Sequence, residues 1–325
     1  MKRLTCFLAM VAALWVLVSP VSAAEKTIKL KAVQFISIGD PSDTAFRLLL
    51  DTINKEAKEE LTIEIVGGPE AIPGLQQPDA VRTGAVDIAF VPCGWYIPIL
   101  PIAAVMGLSR LEPWDARKSG LHDFLVEHHK KVGLRFIGAT DFAGDFWLYA
   151  KEPIASPGGL KGKRFRHAPT YHFFPAFGIV PMTAAIPDIY SGLERNLFDG
   201  LAIKHNSFIN LSLFEVCKYV VGPGFWPNFS AVTIMNEEKF KGLPNHLQKL
   251  IVDTQEKAEP LMKKAQAPII DKHWTILKEK GVKHIEWSPG DTKFFLDKID
   301  EVAWEILGKK LPEGTADKMK KMMGF

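Results

Sequence analysis

"PDAVRTGAVDIAFVP", residues 78–92, is the stretch on which the fold turns. Its first half reads as a short helix, Gly84 stops that helix, and Val86 to Val91 is a buried strand. Upstream, "LTIEIV" (Leu61 to Val66) alternates apolar and polar residues as a half-buried strand does. "TIKLKAVQFI" (Thr27 to Ile36) is an earlier strand. Between these two, Pro41-Ser42-Asp43 starts a helix, and Ala45, Leu48, Leu49 and Ile53 follow at helical spacing. Strand, helix, strand, helix, strand is the opening of an open α/β sheet.

The pattern recurs downstream. "GLRFIGATDF", "FWLYAKEPI" and "LKGKRFRHA" read as strands, and "YHFFPAFG" as a helix. "PDIYSGLERNLFDGLAI" is a helix running into a further strand, and "FEVCKYVVGPGFWPNFSAVTIMNEEKF" is mostly extended. The end is helical: an amphipathic run from Leu247 to Leu277, then "PGDTKFFLDKIDEVAWEILGKK", then "TADKMKKMMGF". No repeat or low-complexity linker separates the two α/β halves. Two lobes joined by strands, with a cleft between them, form the venus-flytrap arrangement, which closes around a ligand by hinge motion.

The first residues bear on the compartment. Met1-Lys2-Arg3, an apolar run from Leu4 to Val18 and the small residues of "SPVSAA" make a secretory signal peptide cleaved near Ala23 or Ala24. The apolar run is short for a membrane span, which needs about 20 residues. The exported chain loses Lys2 and Arg3 from its 40 basic residues and stands at about +1 against 37 acidic ones. Such a balance gives no field for a nucleic acid. Cys93 and Cys217 sit in apolar runs and read as two buried thiols.

Motifs for catalysis or cofactors are missing. The Gly-Gly pairs at 67–68 and 158–159 fit no phosphate loop, and no G-x-S-x-G, H-E-x-x-H or C-x-x-C occurs. "EHHKK" (Glu127 to Lys131) reads as a solvated helix end, because adjacent helical histidines diverge by about 100°. Asp141, Asp145 and Asp188 read as turn or cap residues. The chain is therefore expected to be no enzyme and to need no metal or cofactor. Aromatic residues do gather at element ends: Trp95-Tyr96, Phe146-Trp147, Tyr171, Phe173-Phe174 and Phe225-Trp226. Strand ends of an open α/β sheet are where ligands bind. "LKGKRFRHAP" (Leu160 to Pro169) adds a basic strand, in which alternation sets Arg164 and Arg166 on the face opposite Phe165. From the residues alone, Arg166 serves equally as a ligand's carboxylate partner or in a salt bridge to a nearby Asp or Glu.

Three segments in register resemble the DctP-like family of TRAP transporter solute-binding proteins: "GGPEAIPGLQQPDAVRTGAVDIAF", "PGGLKGKRFRHAP" and "VPMTAAIPDIYSGLERNLFDG". Pro187, Ile189, Tyr190, Leu193, Asp199 and Gly200 carry the last motif. The resemblance implies two α/β lobes bridged by hinge strands and a long helix. It gives the divisions 1–24 for the signal peptide, 25–145 with 233–272 for lobe I, and 146–232 with 273–325 for lobe II. It implies a periplasmic protein, monomer or dimer, that captures a small organic acid. Delivery is to the small and large subunits of a sodium-driven membrane permease. Arg166 takes the place of the family's carboxylate-binding arginine.

Departures from the family pattern point to the ligand. Positions that are often polar or basic hold Trp95 and Phe146, and Leu201, Ala202 and Ile203 follow the "D-G" pair. The expected ligand is a monocarboxylate with an aromatic or apolar body, such as an aromatic 2-oxo acid. Its expected contacts are Arg166 with Phe35, Trp95, Tyr96, Phe146, Trp147, Tyr171, Ile203 and His205. Lys204, His205 or Arg164 could hold a second carboxylate, so a C4-dicarboxylate is the alternative within the family. A sensory binding protein and a periplasmic enzyme are the alternatives outside it.

Overall fold

Among the described residues, alternation and apolar runs resolve into eleven strands: β1 (Ile28–Gln34), β2 (Leu61–Gly67), β3 (Ile88–Pro92), β4 (Leu134–Ala139), β5 (Phe146–Ala150), β6 (Arg164–Arg166), β7 (Val180–Met182), β8 (Gly200–Lys204), β9 (Tyr219–Phe225), β10 (Ala231–Asn236) and β11 (Lys283–Ile285). The computed structural model describes residues 27–39, 43–140, 142, 144–167, 173–226 and 231–325. The signal-peptide segment lies outside them.

Two sheets form. The first has the order β2-β1-β3-β10-β4, and the second β11-β9-β5-β8-β6-β7. Strands β1, β2 and β3 pair in parallel, as their helical crossovers require. The helix between β1 and β2 spans Thr44–Glu56, and the helix Gln77–Thr83 ends at Gly84 in the left-handed region, φ +80°. Strand β10 lies antiparallel between β3 and β4. The chain thus returns from the second sheet to complete the first. The chain passes between the sheets after β4 and again between β9 and β10.

Two helices also cross. The helix Asn245–Glu279 buries Leu247, Ile251, Ala258 and Met262 in the first lobe's core and Leu277 in the second's. On the first lobe, its Gln255 Nε2 donates to Ala139 O at 2.7 Å. There Glu259 takes a two-pronged ion pair from Arg117 at 2.8 and 3.2 Å. The helix Pro289–Lys310 packs Phe295 and Ile299 on the second lobe but Trp304 and Leu307 on the first. Met319 and Met323 of the last helix, Thr315–Met323, join the first core as well. The packing therefore departs from the expected division, which gave all of residues 273–325 to lobe II. Amphipathic patterning says that a helix has a buried face and not which lobe buries it.

Other readings shift in detail. The "LKGKRFRHA" strand shrinks to three residues, and "YHFFPAFG" contributes only the 3-10 turn Phe174–Phe177 among the described residues. The "EHHKK" stretch closes a helix with Glu127 and Lys131 exposed, but one of its histidines turns inward. His129 is fully buried, with Nδ1 on Leu125 O at 2.7 Å and Nε2 3.1 Å from Tyr96 Oη. Burial lowers its pKa to about 4, so it stays neutral. Cys93 and Cys217 are buried free thiols, as their apolar flanks suggest.

Candidate ligand cleft

Topology alone locates the cleft. Strands β6 and β8 are parallel, β5 runs antiparallel to β8, and β9 runs antiparallel to β5. One edge of the second sheet therefore gathers Arg166, Lys204, Phe225 and the start of β5 at Phe146. Both crossings leave from this edge. In the first sheet they arrive at the end of β4 and the start of β10, beside the carboxyl ends of β1 and β3. The strand ends of the two lobes thus face each other, the position in which open α/β sheets take ligands.

Arg166 is the outermost residue of β6, 8% exposed, between Leu201 of β8 and Met182 of β7. Its Nε and Nη2 donate to Ala184 O at 3.2 and 3.1 Å. A planar guanidinium tied along one side has a fixed orientation, which suits two-pronged recognition of a carboxylate. Arg164, on the same strand, forms a salt bridge to Asp199. Its Nη2 and Nε meet Asp199 Oδ1 and Oδ2 at 2.7 and 3.2 Å, and its backbone N donates to the same carboxylate at 2.8 Å. The adjacent Gly200 is needed for space, because a methyl group there would stand 2.3 Å from Tyr149 O and 2.6 Å from the Phe165 ring. The "D-G" pair thus locks the short strand β6 against β8 and sets the position of Arg166 two residues on.

The aromatic candidates separate by strand parity. Phe146 pairs with Lys204, on the face that packs against Phe225. Trp147 pairs with Ile203 and points to the opposite face. There Trp147 stacks on His205 at 5.1 Å and meets Trp274 of the long crossing helix at 5.1 Å. Tyr149 Oη is hydrogen-bonded to His205 Nδ1, and burial, then the nearby His273 and His284, lowers the His205 pKa to about 3. Trp147, Ile203 and His205 therefore belong to the seam between the second sheet and the crossing helix. In the first lobe, Phe35 follows β1, 5.8 Å from half-buried Trp95 and 4.9 Å from Phe90. Tyr96, by contrast, is wholly inside the first core, against His129 and Met106. The 3-10 turn Cys93–Tyr96 rotates successive side chains by about 120°, so its neighbours Trp95 and Tyr96 diverge. Tyr171 lies outside the described residues.

Lys204 carries more weight here than its sequence context suggested. It is 5% exposed, and its Nζ lies 5.3 Å from the Phe146 ring centroid. Asp145, read as a turn residue, stands beside it. Burial raises the Asp145 pKa while the Lys204 charge lowers it. No sequence period signals this trio, because it arises from the β5–β8 register. Among the described residues, no group of three or more His, Cys, Asp or Glu side chains could hold a metal ion. No helix among them is long and apolar enough to cross a membrane.

Two α/β lobes with facing strand ends are the arrangement of two-lobed solute-binding proteins. The chain belongs to the bacterial extracellular solute-binding protein family 7 (DctP), whose model matches residues 33–310. It is 24% identical over 290 residues to the 2,3-diketo-L-gulonate-binding periplasmic protein YiaO of Escherichia coli K12, covering 85% of this chain and 86% of that one. In structure it is similar to a TRAP periplasmic solute-binding protein of Desulfovibrio salexigens with bound orotic acid. The TM-score is 0.81 at 16% identity, over 92% of this chain and 98% of the other. It is likewise similar to DctP7, an extracytoplasmic solute receptor of Bordetella pertussis binding pyroglutamic acid. There the TM-score is 0.77 at 16% identity, over 92% and 100%. The family consists of binding proteins rather than enzymes, and the α/β two-lobed fold expected from the sequence is the one found.

Proposed function

We propose that this protein is a periplasmic receptor that captures a monocarboxylate with an apolar or aromatic body and presents it to a TRAP-type permease. Export by the N-terminal signal peptide puts it in the compartment where such a receptor works. The observation that carries the reading is Arg166, nearly buried at the sheet edge facing the other lobe and oriented by Ala184 O. A buried guanidinium is stabilised by a carboxylate, and the attraction strengthens as closure removes water. The acid therefore binds the closed form better than the open one and shifts the population toward closure. Phe146 on one lobe, with Phe35 and Trp95 on the other, supplies apolar surface for the ligand's body. What the neighbours' ligands share is the carboxylate: orotic and pyroglutamic acids carry one, succinate and malonate two. Closure would bring the two lobes into the single shape that a permease recognises.

Thermal-shift screening of the exported chain against aryl acids, 2-oxo acids and C4-dicarboxylates tests the proposal, with Arg166→Ala alongside. A ligand at 100 times its Kd adds about 2.7 kcal/mol to the wild type. Loss of a charged two-pronged contact of about 1.5–3 kcal/mol weakens binding by roughly 10- to 100-fold in the variant. Binding of dicarboxylates alone would refute the ligand class. Undiminished binding by Arg166→Ala would refute the anchor.

A further inference from the structure

A seam of rings holds the long crossing helix to the second lobe. On the sheet side stand Trp147 and Tyr149 of β5, His205 just after β8, and His284 of β11. On the helix side stand His273, Trp274 and Leu277. The Trp274 ring lies 5.1 Å from Trp147, 4.5 Å from His205 and 5.1 Å from His284, centroid to centroid. Trp147 also meets His284 at 5.3 Å. His205 and His273 are both buried, and His273 and His284 stand within electrostatic reach of His205. Three imidazoles thus gather where this helix meets the second lobe. Seven residues earlier, Gln266 Oε1 accepts from Phe142 N of the first lobe at 2.7 Å. The seam is therefore the second-lobe end of a connection between the lobes.

The surroundings suit neutral imidazole. An imidazolium has two N–H donors, and each needs an acceptor when buried. His205 Nδ1 is bonded to Tyr149 Oη, and burial keeps that phenol protonated. His205 Nε2 and His273 Nδ1 are buried and make no hydrogen bond among the described residues. His284 Nε2 lies 2.9 Å from Gly222 O, and its Nδ1 lies 3.7 Å from the exposed Glu286 carboxylate. The other charged groups on these elements turn away. Asp271, Lys272, Lys278 and Lys283 are exposed, and Lys204 lies on the Phe146 face of the sheet. The nearby Cys217 is a buried neutral thiol, with Lys151 beside it. Burial, then His273 and His284, lowers the His205 pKa from an ordinary 6.5 to about 3, and burial lowers that of His273 as well. Opened to water, both rings return toward 6.5. The opened seam then takes up protons that the packed seam refuses. Packing is fully favoured above about pH 6.5, and the advantage is lost as pH falls from there toward 3. At pH 5, His205 alone shifts the balance toward opening by about 30-fold relative to pH 7.5.

We propose that this histidine–tryptophan seam is an acid-sensitive latch: in acidic surroundings residues 273–279 of the crossing helix part from the second sheet, and the helix ceases to couple the two lobes. Amide hydrogen exchange of the exported chain tests this without any ligand, read by mass spectrometry and corrected for the intrinsic pH dependence of exchange. Opening of residues 273–279 is expected to rise at least about 30-fold from pH 7.5 to pH 5. Residues 247–262, packed on the first lobe, are expected to keep their protection. The double variant His205→Gln, His273→Gln carries amides that do not titrate, and it flattens the response. His246→Gln alters an exposed histidine at the other end of the same helix and leaves the response as in the wild type. If the double variant is already open at pH 7.5, the histidine Cε1-proton resonances of the wild type decide. A His205 resonance unmoved down to pH 5 supports the latch, and one titrating near 6.5 in the folded chain overturns it. Opening that ignores pH, opening that rises equally over residues 247–262, or a packed double variant with the wild-type response also overturns it.

Discussion

Removing the Asp199 carboxylate tests whether the "D-G" pair positions Arg166, the proposed carboxylate anchor. In the wild type this group accepts from Arg164 N at 2.8 Å and from the Arg164 guanidinium at 2.7 and 3.2 Å. The guanidinium is 42% exposed, so after Asp199→Ala water replaces most of what it loses. The part-buried backbone N–H of Arg164 has no such replacement in the strand. Leaving it unmade costs about 1–3 kcal/mol. At roughly 2–4 °C per kcal/mol for domains of this size, a loss of about 2 kcal/mol lowers Tm by about 4–8 °C. Arg164→Ala, which keeps the acceptor for the backbone, should lower Tm by clearly less, and Asp199→Asn should lie near it because the amide oxygen still accepts. Ligand affinity should fall in Asp199→Ala too, because Arg166 is two residues further along a three-residue strand. The effect has a definite pH dependence. The side-chain hydrogen bonds from Arg164 hold the Asp199 carboxyl below its ordinary range. The stabilisation is thus present above the unfolded value of about 3.9 and is lost as pH falls through the lower folded value. Differential scanning calorimetry at pH 7 and pH 3 measures both. Arg164→Ala melting as low as Asp199→Ala, or a difference between wild type and Asp199→Ala that grows on acidification, would refute the reasoning.

Two further outcomes follow from the packing. Gly200→Ala puts a methyl group 2.3 Å from Tyr149 O, and overpacking of this kind costs about 1–3 kcal/mol. Denaturant unfolding should show the midpoint lowered with an unchanged slope, and an unchanged midpoint would mean that the strands part easily. Burial pushes both thiols up to about 12, so neither Cys93 nor Cys217 should react with a thiol reagent at pH 8 until guanidinium unfolds the chain. Reaction of either in the native protein within minutes would contradict its placement.

The sequence by itself determined the α/β class, the strand–helix order of the first lobe, the long helix and the two buried thiols. Each depends on a local period: two for a half-buried strand, 3.6 for a helix, an apolar run for a buried strand. That Arg166 ends a strand, opposite in parity to Phe165, was legible in the alternation around it. What followed from tertiary structure was every relation between strands. β10 enters the first sheet only after the chain has run through the second, and the last two helices dock Trp304 and Met319 on the first lobe. Neighbouring residues with similar side chains also part company. Trp95 stays half-buried while Tyr96 enters the core, and Phe146 and Trp147 take opposite faces of β5. Lys204 gained its place over Phe146 from the antiparallel register of β5 and β8, although residues 146 and 204 are far apart in the chain. Register is set by the summed burial of a whole sheet face and by the turns that join its strands, so no short window of sequence contains it.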